Sequence, residues 1–361
     1  MFEKSHLTDK NNLGKLFFQG DTNPSLTPNP DLVESIITIS PERTIVGAYF
    51  DYHQDFCCRC SFWLDVKMAF YQATHNLHAE ECDLGLESSC TPLSFLSSDL
   101  LQFGRIPITK LKEFNVDDIE VKLGHNFYNK GGYVGVYGSA LLPIAPKPTA
   151  EFLFEPLVGR GHWGLGIGIN AAHTFCRSET KSLTFLADFS YQYLFNRNEL
   201  RSLDFKTGQL TRFIVLNTEV GTDPIAAINV TTLNLGVTPR GIINFWLASH
   251  LQYCQCHVEL GYNLWWRQSE KICYPTCLQT NFDSLGVIDS TDTFTPLTLD
   301  SLDLASAASS STLTNKLYIA FSCDANMCLS PNIGLGASYE ISKNINSIGQ
   351  WGVWLNIGLN L

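Results

Sequence analysis

The stretch that most constrains this chain is residues 332–361. Ile333, Leu335, Ala337, Tyr339 and Ile341 alternate with Asn332, Gly334, Gly336, Ser338 and Glu340. After a polar turn, Val353, Leu355, Ile357, Leu359 and Leu361 alternate with Gly352, Trp354, Asn356, Gly358 and Asn360. A period of two sends successive side chains to opposite faces, so this is a hairpin with one apolar and one polar face. A tilted strand crossing an apolar band roughly 25 Å tall needs about ten residues, the length of each arm. The apolar face suits lipid and the small polar face suits a lumen. A soluble β-sandwich with that apolar face as its core is the competing arrangement.

The same rhythm recurs along the chain. After the turn-rich stretch 24–30, a short strand is expected near 33–40. Strands follow at 44–53, 61–71, 119–127, 133–142, 163–174, 183–195, 210–220, 229–237, 242–251, 257–266 and 317–322, before the final hairpin. Segments 73–117 and 278–311 read as long loops, with a helical turn at 97–103. Glycines 164, 166 and 168 share one face of their strand, where something bulky, such as the preceding loop, is expected to pack. Barrels of this type have even strand numbers, so the expectation is an all-β, single antiparallel up-and-down transmembrane β-barrel of about 14 strands, with 12 as the fallback. Residues 1–31 form a lead segment and 32–361 the barrel. Tight turns near Gln54, Asn129, Arg177, Gly221, Cys254 and Ala325 would lie at one end and the long loops at the other.

Composition removes other classes. A net charge of -11 leaves no basic stripe for nucleic acid. No run of eighteen apolar residues exists, so no helix is expected to span a membrane, a test to which barrels are blind. Residues 1–20 lack an apolar stretch of signal-peptide length, so the numbering is expected to start inside a precursor. No nucleophile elbow, phosphate loop or ordered Ser/His/Asp set is present, and His125, His162, His173, His250 and His257 are scattered. The expectation is therefore a non-enzyme without cofactor; a wall-mounted Ser/His pair is the enzymatic alternative.

Twelve cysteines are many for a barrel. In an oxidising compartment they allow the disulfides Cys82–Cys90, Cys273–Cys277 and Cys323–Cys328. Cys57 and Cys60 have the spacing of half a zinc site with Cys58 and His53 nearby, but no second pair completes it, so no metal is expected.

Several segments resemble Gram-negative outer-membrane β-barrel proteins of the porin-like, largely uncharacterised kind. DIEVKLGHNFYN, YVGVYGSALLPIAPKPT and EPLVGRGHWGLGIGI reproduce a succession of strand, tight turn, strand, proline-bearing loop and glycine-rich strand. ISPERTIVGAYFDY and ELGYNLWWRQSEK are similar to such proteins too, although the chain has Leu361 where they usually carry a terminal aromatic residue. The resemblance implies a bacterial outer-membrane location, with lipid, small solutes and the barrel-assembly machinery as partners.

The alternation assigns Asp51, Asp65, Lys67, Glu120, Lys122, Asp188, Glu259 and Glu340 to a lumen, where the carboxylate excess would favour cations. Trp163, Trp246, Trp265, Trp266, Trp351 and Trp354 are expected to form interfacial girdles. The function expected is a porin-like channel for small polar solutes, with cations favoured. A barrel transporter of hydrophobic molecules would need an apolar lumen, and a secreted sandwich or adhesin would need its apolar faces paired.

Overall fold

The computed structural model describes residues 35–56, 61–83, 92–218, 225–276, 282, 284–288, 294–324, 331–342 and 349–359. Its dominant element is a curled antiparallel sheet of twelve strands, eleven of them in one unbroken meander. These are β1 (Glu42–Phe56), β2 (Phe62–Asn76), β3 (Ile119–Asn129), β4 (Gly132–Leu142), β5 (Gly164–Arg177), β6 (Lys181–Leu194), β7 (Arg240–Tyr253), β8 (Cys256–Arg267), β9 (Thr312–Asp324), β10 (Asn332–Ser342) and β11 (Gln350–Gly358). The twelfth, Leu111–Val116, pairs with the second half of β2 while β3 pairs with the first half. It and β3 thus form one line, broken at Asp117 and Asp118.

Three corrections to the sequence expectation follow. The wall has eleven long strands, twelve with Leu111–Val116, which is the fallback number and not about 14, and β1 and β11 do not pair with each other among the described residues. Because eleven is odd, both edge strands run in the same direction. Segments 210–220 and 229–237 are not wall strands: Val215–Thr218 and Thr232–Thr238 lie inside the long connection from β6 to β7. The strand near 33–40 is Ser35–Thr38, and it pairs with Glu80–Asp83 away from the wall. Residue 221, expected to mark a tight turn, lies outside the described residues.

Register fixes the faces. Asp51 stands opposite Lys67, Asp65 opposite Lys122, Lys122 opposite Ser139, and Ser139 opposite Gly166, which keeps the polar residues of successive strands on one side. The other side carries Val46, Ile167 and Leu355, exposed by 67%, 69% and 68%. So large an apolar surface left open over an entire sheet is foreign to soluble proteins.

The connections segregate by length. Tight turns join β3 to β4, β5 to β6 and β7 to β8 at one end, while the connections after β2, β4, β6 and β8 are long and lie at the other. The long connections are not open loops. Ile37, Leu77, Phe95, Leu96, Leu101, Ile106, Phe213 and Ile228 form one buried cluster. Leu203, Phe205, Leu216, Leu233, Leu235, Leu297 and Leu302 form a second. Together they build a cap with its own dry core. The helical turn expected at 97–103 is instead Pro92–Leu96, which contributes Phe95 and Leu96 to it. Segment 278–311 likewise contains Leu285–Ile288 paired with Phe294–Pro296.

One disulfide joins Cys256 on β8 to Cys323 on β9, across directly paired positions. It replaces the expected Cys323–Cys328 bond. Cys90, Cys277, Cys328 and the Cys57, Cys58 and Cys60 group lie outside the described residues.

Candidate functional site: the polar inner wall

A curled sheet crowds the side chains on its concave face, and the chain answers with glycine next to aromatic residues. Tyr137 on β4 lies across Gly168, where any β-carbon would collide with the ring. Its hydroxyl thereby reaches Asp188, two strands away, at 2.9 Å. The nearest neighbours of the β5 glycines are thus residues of the adjoining strands, Tyr137 at Gly168, Ser139 at Gly166 and Leu194 and Leu141 at Gly164, and not the preceding loop. Tyr318 lies across Gly261 in the same manner, donating to Glu259 at 2.6 Å and accepting from Trp246 Nε1 at 2.8 Å. Trp63 covers Gly124 and Trp354 covers Gly336.

Three of the six expected girdle tryptophans therefore face inward. Trp246 bonds Tyr318, Trp265 lines an inner cavity, and Trp354 packs on Gly336. Trp163, Trp266 and Trp351 lie on the apolar side at the long-connection end, with Trp163 and Trp351 well exposed.

All eight expected lumen residues share the inner face, but they are paired. Lys67 Nζ lies 3.2 Å from Asp51 and 3.3 Å from Asp65. Lys122 sits 3.4 Å from Glu120 and over the Tyr137 ring. Glu340 meets Lys316 at 3.2 Å, a residue the sequence reading missed because it began that strand at 317 instead of Thr312. Toward the tight-turn end, Glu259, His250, His257 and Asp324 form a chain with contacts of 3.4, 3.1 and 2.9 Å. Among the described residues no group of three or more His, Cys, Asp or Glu is arranged to hold a metal ion.

The connection between β4 and β5 is fastened onto this wall. Asp118, buried at the break before β3, accepts backbone N–H groups from Ala145 at 3.1 Å, Arg160 at 2.9 Å and Gly161 at 2.7 Å. Asn115 Nδ2 donates to Pro156 O at 3.1 Å, and Arg43 donates to Leu157 O at 2.9 Å. Gly159 and Gly161 adopt φ of 95° and 63°, left-handed geometry that favours glycine. The result presents Arg160 to a cavity of about 450 Å³ with Lys67, Glu120, Lys122, Ser139 and Gln192 around it. A larger groove of about 960 Å³ lies among Phe127, Ala171, Ala187, Leu247 and Leu260, on the apolar side. The smaller cavity is the functional candidate, because unlike the groove it stands among the polar side chains of the inner wall.

Just beyond that cavity, Glu199 anchors the cap. It contacts His162 at 3.0 Å, Arg197 at 2.9 Å and Arg201 at 2.8 Å, with the carboxylate and His162 nearly fully buried. Burial pushes its carboxyl up, but the His162 hydrogen bond and the Arg201 charge outweigh burial and bring it down to about 2. His162 Nδ1 also lies 2.9 Å from Phe195 O, so both ring nitrogens face acceptors.

No protein-family model matches the chain, and no curated protein does. Among solved structures, the fold overlays an outer membrane channel from Pseudomonas putida F1 over 90% of this chain and 84% of that one, with 7% identity and a TM-score of 0.40. At that identity and score the likeness is too distant to carry a function across.

Proposed function

We propose that this chain is a β-barrel channel of the outer membrane that passes small polar solutes through a lumen narrowed by the connection between β4 and β5. The observation that carries this reading is the division of one sheet into two unlike faces. Its outer side is apolar and open on every strand, while its inner side is a polar, hydrogen-bonded wall enclosing a cavity. A sandwich would cover its apolar side with a second sheet, and among the described residues no element does so. A transporter of hydrophobic molecules would put apolar side chains where Lys67, Lys122, Asp188 and Gln192 stand.

In lipid, the edges β1 and β11 cannot keep their backbone groups unpaired. The membrane form therefore closes this seam. Because both edges run the same way, direct closure would be a parallel pairing. The expected cation preference is weakened, not removed, because Asp51, Asp65, Glu120 and Glu340 share three lysines while Asp188 and Glu259 have none.

The test is extraction in detergent followed by reconstitution. A closed barrel migrates faster on a gel before boiling than after, and planar bilayers should show discrete conductance steps in potassium chloride. A chain that stays monomeric in buffer without detergent, or that folds without conducting, would overturn the reading.

A further inference from the structure

Both lysines at the inner cavity are taken up by carboxylates, which outnumber the cations there. Lys67 is held between two carboxylates, Lys122 by Glu120, and Asp118 by three backbone N–H groups. Asp117 accepts from the Tyr71 hydroxyl at 2.9 Å and from the N–H of Asp118 at 2.8 Å. The donors left without an acceptor lie on one side of the cavity. The Arg160 guanidinium donates one hydrogen bond, from Nη1 to Gln192 Oε1 at 2.7 Å, and makes no ion-pair contact among the described residues, although Glu120, Asp117 and Asp118 act on it from farther off. Gln192 is only 8% exposed, and its Nε2 has no partner among the described residues.

A buried amide N–H without an acceptor costs free energy comparable to a lost hydrogen bond. Here it stands beside a guanidinium fork whose remaining donors match a planar carboxylate. Leu141, Ile242 and Trp265 supply an apolar wall to the same cavity. Its volume is at the small end of the range for ligand pockets.

We infer that the cavity between Arg160 and Gln192 is a binding subsite for a small monocarboxylate with an apolar body. Its carboxylate takes the free Arg160 donors and Gln192 Nε2, and its body lies against Leu141, Ile242 and Trp265. This rests on the channel reading only for its purpose, since the subsite would hold a solute in transit.

The experiment is isothermal titration of the purified full chain in detergent with benzoate, benzamide and inorganic phosphate, alongside bilayer conductance of the same preparation. Benzoate should bind, and benzamide, of the same shape without the charge, should bind at least tenfold more weakly. Phosphate at equal concentration should leave benzoate binding unchanged. Arg160→Gln and Gln192→Leu should each weaken benzoate at least tenfold while keeping heat-modifiable migration. The Arg160→Gln change spares the backbone bond to Asp118.

Absence of benzoate binding to the wild-type chain, equal binding of benzamide, or displacement by phosphate would overturn the inference. So would unchanged binding in folded variants. The ligand comparison needs no variant, so a variant that fails to fold does not rescue the idea. Binding without conductance would sink the channel reading and keep the subsite, and conductance without binding would do the reverse.

Discussion

The wall and the cap use the same residue types for opposite ends. Leu216 and Leu235 in the cap are completely buried, whereas Leu335 and Leu355 on β10 and β11 are exposed by 59% and 68%. The cap is an ordinary water-soluble core assembled from long connections, and the wall has its apolar surface turned outward. On the channel reading these are two solvents written into one chain, and the same substitution should be felt differently in each.

The largest effect is expected in the cap. Leu216→Ala leaves a cavity in a packed cluster, and the loss should be about 2–5 kcal/mol, read as loss of cap protection in hydrogen exchange. The matching change Leu355→Ala should scarcely alter unfolding in detergent. Similar costs for the two would erase the distinction between the regions.

Next comes charge on the outer face. Ile167→Arg places a guanidinium on the exposed side of β5 and should cost about 2–4 kcal/mol in lipid if the position is near the midplane. Asn170→Arg, whose side chain faces inward on the same strand, should cost much less. A soluble sheet would tolerate both poorly or both well.

Acid should strike the cap before the wall. The folded carboxyl of Glu199 titrates near 2 against an ordinary value of 4.5, so its contribution is full above about 4.5 and is lost as pH falls toward 2. Hydrogen exchange at 197–202 should accelerate over that window while the heat-modifiable band persists. Glu199→Gln should remove the pH dependence, and an unchanged profile in that variant would exclude this carboxylate as its source.

These contrasts also show what was readable in advance. Alternation is recorded at every residue, so Asp51, Asp65 and Lys67 could be placed on one face without knowing any neighbour. Burial is not recorded that way. Thr232–Thr238 alternates like a wall strand, yet Leu233, Leu235 and Val237 are buried beneath other cap segments. Residue type also misled where parity would not have: Trp354 shares the face of Asn356, and its packing on Gly336 follows from that position. Arg160 could not be found by any period, because it lies in an irregular connection held by Asp118. Gln192 was visible on the polar face, but the absence of a partner for its Nε2 is a property of the assembled wall.

The smallest expected effect tests how far the wall is neutral. Replacing Asp51, Asp65 and Glu120 with asparagine or glutamine removes three carboxylates and releases Lys67 and Lys122 from their pairs. Size and alternation are preserved, so the barrel should still fold. In a lumen partly shielded from bulk water, the two released ammonium groups act more strongly than at an open surface. Under a salt gradient the reversal potential should therefore move toward anions. Because the three carboxylates share two lysines, the starting preference should be modest and the shift should owe nearly as much to the released lysines as to the lost acids. Adding Lys67→Gln and Lys122→Gln to the triple variant should return the potential close to the wild-type value. The shift should shrink near 1 M salt, where the Debye length is about 3 Å. A conducting triple variant with unchanged selectivity would place these five side chains outside the ion path, and would move the narrow part of the channel away from the connection between β4 and β5.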